Sequence, residues 1–127
     1  MTVKIDVRVP LEHGVLFLSD PYAEVEVPSD TGAALVTGTR SCVAFAVTGY
    51  VDGEADVTLT DLRPPTGKAP SFTARLDTNS KVVGLSDSTG FNWAMLPVKG
   101  ETAMLEIWHG VLGEDRVWVR IEGIDSF

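Results

Sequence analysis

The chain has almost no helical period. Where apolar residues recur, they recur at alternate positions or in short unbroken runs, and glycine or proline interrupts them roughly every 8–15 residues. Twelve glycines and seven prolines supply these interruptions. Runs that short cannot build a helix of useful length, but they suit strands. The pattern predicts an all-β chain, a two-sheet antiparallel β-sandwich of jelly-roll or Greek-key type with about ten strands. A length of 127 residues fits one such domain over residues 1–127. At that size about two thirds of the unfolded chain's surface can be buried.

The runs can be placed one by one. Val3, Ile5, Val7 and Val9 alternate with Lys4, Asp6 and Arg8, a half-buried strand that Pro10 limits. Residues 14–19 are continuously apolar and predict a strand covered on both faces, and Tyr22 to Val27 alternate again. Residues 33–37 and 42–48 flank G-T-R-S as a hairpin or two sequential strands; Val43, Phe45 and Val47 share one face there, and small Cys42, Ala44 and Ala46 share the other. Val57 and Leu59 point inward from a strand near 55–60, with Asp56, Thr58 and Thr60 outward. The segment R-P-P-T-G-K-A-P at 63–70 cannot sit inside a sheet and predicts a long crossover between sheets or a binding loop. Phe72, Ala74 and Leu76 then share a face, and the glycine inside K-V-V-G-L-S at 81–86 suggests a bulge.

Residues 91–122 hold all three tryptophans, Trp93, Trp108 and Trp118. Two turn signals divide the stretch into what reads as a three-stranded antiparallel meander. Pairing its last two runs about Gly113 sets Leu105 opposite Ile121, Ile107 opposite Val119, Glu106 opposite Arg120 and Trp108 opposite Trp118. Two apolar pairs, an ion pair and an aromatic pair then agree, each worth roughly 0.2–1 kcal/mol. The first hairpin has two registers. Centred between Val98 and Lys99, it puts Trp93 opposite Met104 and gathers Phe91, Trp93 and Met95 with the other tryptophans on one outer face. Centred on Lys99, it turns Trp93 toward Leu105 and the core.

Charge and chemistry narrow the function. The net charge of −8 points away from nucleic acid and anionic membranes and toward a basic protein partner. Candidate partner-binding residues fall in two acidic clusters, Glu12, Asp20, Glu24, Glu26 and Asp30, then Asp52, Glu54 and Asp56, and in Trp93, Trp108 and Trp118. A lone Cys42 leaves no internal disulfide, and charges at alternate positions of the first residues leave no room for a signal peptide, so a cytoplasmic location is expected. His13 and His109 lie far apart, no zinc or EF-hand spacing occurs, and no phosphate loop or dinucleotide motif is present. G-L-S-D-S-T-G lacks the nucleophile elbow. No catalytic residue, metal or cofactor is therefore expected.

Leu96-Pro97-Val98-Lys99-Gly100, followed by Leu105 and Trp108, resembles a hairpin of the competence-type nuclease inhibitor family and of related uncharacterised actinobacterial β-sandwich proteins. The layout of G-A-A-L-V-T-G-T at 32–39 and the apolar run at 42–48 is similar too. The chain departs from that pattern by an extra residue before Gly100 and by Thr102 where tyrosine is usual. The resemblance implies a non-enzymatic inhibitor or immunity-type protein that binds a nuclease. Two other readings stand beside it: a structural assembly protein, such as a virion decoration or adaptor subunit, and a carbohydrate-binding sandwich with tryptophan platforms.

Overall fold

The computed structural model describes residues 3–10, 15–24, 36–46, 54–87, 90–110 and 116–125. Among them run ten strands: β1 (Lys4–Pro10), β2 (Val15–Ser19), β3 (Val36–Gly38), β4 (Cys42–Ala46), β5 (Glu54–Thr60), β6 (Phe72–Asp77), β7 (Val82–Asp87), β8 (Asn92–Pro97), β9 (Thr102–His109) and β10 (Arg116–Ile121). They form two five-stranded sheets. The first has the order β1-β5-β10-β9-β6 and the second β3-β4-β2-β7-β8. Alternation explains both. Val57, Leu59, Leu105, Ile107, Val119 and Ile121 of the first sheet meet Leu16, Leu18, Val43, Phe45, Val83 and Leu85 of the second, all fully buried in one core. The predicted sandwich is present, with one departure: β5 and β10 run parallel, so the first sheet is mixed. Parallel neighbours need a long connection, and here the whole path through β6 to β9 supplies it.

Where the 33–37 and 42–48 runs are described they form an antiparallel pair, β3 with β4; residues 33–35 and 47–48 lie outside the described residues. The pairing of β9 with β10 is the predicted one, residue for residue: Leu105 with Ile121, Glu106 with Arg120, Ile107 with Val119, Trp108 with Trp118. The meander as a whole is not formed. β8 pairs with β7 at the edge of the second sheet, while β9 belongs to the first. Neither register proposed for Trp93 therefore exists. The reason lies in residues 123–125, which take the backbone groups of the turn. Lys99 N–H donates to Gly123 O at 2.8 Å, Asp125 N–H donates to Pro97 O at 2.9 Å, and Val98 bridges Ile124. With those groups satisfied from outside, the chain passes from one sheet to the other.

Three smaller expectations are corrected. Tyr22 does not start a strand. Pro21 to Ala23 form a turn after β2, and residues 25–27, the end of that predicted run, lie outside the described residues. Thr60 shares the outward face with Asp56 and Thr58 but is buried there, and its hydroxyl donates to Val3 O at 2.6 Å. The bulge sits at Trp93, opposite the Leu85/Ser86 step, and not at Gly84. Gly84 has another role: a Cβ there would meet Asn92 Oδ1 at 3.2 Å and Pro21 at 3.4 Å, so its absence lets the 20–23 turn lie on the sheet.

Asp20 fixes that turn. Only 2% exposed, it accepts from Tyr22 N–H at 2.9 Å and from Ser80 N–H at 2.6 Å, tying the end of β2 to the turn before β7. Hydrogen bonds to a charged acceptor contribute about 1.5–3 kcal/mol each. Asp20→Ala should lower stability in urea unfolding by about 2–4 kcal/mol, and Asp20→Asn should lose less, because the amide oxygen still accepts one of the two bonds.

Candidate functional site: a roofed sheet face and an open edge

The outward face of the first sheet is built in cross-strand rows. One row runs Arg8, Asp56, Arg116 and the next runs Asp6, Thr58, Trp118, Trp108. A third row sets Thr60 beside Arg120 and Arg120 beside Glu106. Within the rows, Arg8 Nε meets Asp56 Oδ1 at 3.1 Å, and the Thr58 hydroxyl donates to Asp6 Oδ1 at 2.6 Å. Glu106 Oε1 receives Arg120 Nη1 at 2.9 Å and Arg63 Nε at 3.3 Å.

Over the middle of this face lies the proline-rich segment 61–71. It joins β5 to β6 within one sheet by crossing β10 and β9, so the predicted crossover exists but does not change sheets. Each tryptophan of the central pair holds it. Trp118 Nε1 donates to Leu62 O and Trp108 Nε1 donates to Lys68 O, both at 2.8 Å, while Arg120 Nε donates to Asp61 O at 3.1 Å. Under this strap Trp108 is 1% and Trp118 9% exposed. The indoles are buried ring and satisfied N–H together, which is how buried tryptophan is normally accommodated.

Trp93 stands apart from them, on the second sheet. It is half-buried against the core, its Nε1 donates to Asp87 Oδ2 at 3.0 Å, and its ring meets Phe91 edge-on at 4.8 Å. The three tryptophans therefore do not form a common platform. The edge strand β8 instead carries exposed Met95, exposed Phe91 immediately precedes it, and the Tyr22 hydroxyl lies 3.9 Å from the Met95 sulfur. These residue types are enriched at the centres of protein interfaces. In the sequence Tyr22 does not stand out, because its alternation with the residues up to Val27 has the period of a strand; Asp20-Pro21, a turn initiator, is the signal beside it.

The acidic candidates separate as well. Asp20 is internal, as described. Glu24 is exposed, and Asp56 is matched by Arg8. Glu54 opens β5 opposite Pro10. Glu12, Glu26, Asp30 and Asp52 lie outside the described residues. Among the described residues no group of three or more His, Cys, Asp or Glu is placed to hold a metal ion. The His109 ring, through Nε2, contacts Ala46 O and links β9 to the end of β4. Burial pushes the Cys42 thiol up to about 11 from 9.0, which leaves it a packing residue at neutral pH.

Two expectations follow. Trp108→Phe keeps the ring but frees the strap from its bond at Lys68, so stability should fall by about 1 kcal/mol; trypsin should cut after Lys68 faster than in the parent chain. For Cys42, the folded state keeps its proton where the unfolded chain has lost it. Stability tied to this group is therefore constant below about pH 9 and declines as pH rises toward 11, with a slope of at most about 1.4 kcal/mol per pH unit. Urea unfolding between pH 8 and 11 should show this extra decline in the parent chain and not in Cys42→Ala.

No protein-family profile matches the chain, and no curated protein matches it in sequence. Among solved structures, ComJ of Bacillus subtilis, described as an inhibitor of the DNA-degrading activity of NucA, matches with a TM-score of 0.69. The match covers 94% of this chain and 96% of that one at 9% sequence identity. The two proteins share a fold from end to end, which agrees with the resemblance carried by residues 96–108, although the turn in that motif is a crossover and not a hairpin.

Proposed function

We propose that this chain is a non-enzymatic inhibitor that binds a nuclease. The observation that carries the reading is the shared fold with ComJ over nearly the full length of both chains. Charge supports it from an independent direction. A nuclease cleft built to receive phosphates is cationic, and a chain of net charge −8 is drawn to it. Such steering acts over distances comparable to the Debye length, about 10 Å at 0.1 M salt. The lone, buried Cys42 suits a reducing compartment, and we place the encounter in the cytoplasm.

In this reading the exposed Tyr22, Phe91 and Met95 supply apolar anchors, and the carboxylates of Glu12, Glu24, Glu26, Asp30, Asp52 and Glu54 supply the field. Anchors determine how long a complex lasts, and rim charges determine how fast it forms. The experiment is a DNA-degradation assay using a nuclease encoded in the same genome, with the chain titrated in. Degradation should stop at stoichiometric chain. Raising salt from 50 to 500 mM should slow association by at least about tenfold. Unimpeded degradation at a large excess of chain would refute the inhibitor reading. Inhibition with the same association rate at both salts would refute the electrostatic part of it.

A further inference from the structure

Beside the strap, the outward face of the first sheet opens into a groove of about 470 Å³ between β1 and β10. Thr58 and Trp118 line its floor and Pro65 of the strap stands at one side. Lys4, Arg8 and Arg116 all contribute to it. Three of the ten lysines and arginines of a strongly acidic chain thus converge on one cleft. Two carboxylates share it, and both have partners on the sheet: Asp56 receives Arg8, and Asp6 receives the Thr58 hydroxyl. The groove carries one net positive charge against a total of −8.

Arg116 is the telling residue. Register sets it directly beside Asp56, yet among the described residues its guanidinium makes no hydrogen bond and no ion pair. Lys4 reaches across β5 until its ammonium lies 5.4 Å from the centre of the Trp118 ring, and it too has no carboxylate partner among the described residues. A guanidinium fork and an ammonium point charge that line one cleft, together with Trp118 and Pro65, are suited to an oxyanion. We propose that this groove is an oxyanion-binding site, taking a carboxylate or phosphate group between the Lys4 ammonium and the Arg116 guanidinium. The site lies apart from the Tyr22, Phe91 and Met95 edge, and it does not depend on the nuclease-inhibitor reading.

The test is a nuclear magnetic resonance titration of the full chain with inorganic phosphate, at ionic strength held constant with sodium chloride. Saturable shifts are expected at the amides of residues 4–8, 56–58 and 116–118. Arg116→Gln and Lys4→Gln should each weaken the affinity by about tenfold or more, and Arg116→Gln should leave urea unfolding unchanged. A second titrant, the α-amide of N-acetylglutamic acid, separates the two sources of oxyanion. Tighter binding than phosphate identifies an acidic protein side chain as the occupant, and weaker binding identifies a free phosphorylated ligand. Shifts that grow linearly with either titrant, or that persist undiminished in Arg116→Gln, overturn the proposal. The same variants are scored for nuclease inhibition in a separate assay, so the two readings fail independently.

Discussion

The outer face of the first sheet depends on two indole N–H groups. Trp108 and Trp118 sit side by side on adjacent strands and face away from the core, where a pair of large rings would ordinarily be wet. The proline-rich segment resolves this. Its prolines are poor ladder partners and cannot join a sheet, but its carbonyls at Leu62 and Lys68 are free to accept, and they take both indole donors. The sheet thus acquires a covering layer on its central strands without a helix. Arg120, reaching Asp61 O and Glu106 together, pins the beginning of the same segment. To one side of the strap the groove toward β1 is open, and on the other Thr73, Arg75, Thr102 and Met104 of β6 and β9 are exposed.

Much of this architecture is legible in the sequence, for reasons that can be stated. The β9–β10 register could be read because four independent pairings, aliphatic, ionic and aromatic, agree only in one alignment. The inward faces of β1, β5 and β10 could be read because one side is buried and the alternation is clean. The β8–β9 connection could not. Its backbone partners are residues 123–125, and nothing near Pro97 in the sequence announces them. The strap's irregularity was visible in its composition, but what it covers follows from β10 inserting between β5 and β9, a property of topology alone.

The candidate sites show the same division. Asp20 looked like one carboxylate of an acidic surface, because a sequence does not display a backbone N–H that arrives from Ser80, sixty residues on. Trp108 and Trp118 looked like stacking platforms for the same reason. The exposed edge at Phe91 and Met95 was half visible, since both were placed on a candidate outer face, although on the wrong sheet. The convergence of Lys4 and Arg116 is not legible in the sequence, because two cations that are distant in sequence acquire meaning only when β5 brings their strands within reach of one another.

Trp108 and Trp118 are roofed by the strap, and the proposed docking face is the edge with exposed Tyr22, Phe91 and Met95; the cationic partner is part of the same proposal. The fold shared with a nuclease inhibitor makes a nuclease the partner to examine first. The most direct measurement is isothermal titration calorimetry of the chain into that nuclease, alone and with its cleft filled by a non-cleavable DNA duplex. The account predicts a saturable heat for the free enzyme that vanishes when DNA occupies the cleft. Equal heats in the two titrations, or none in either, would contradict it.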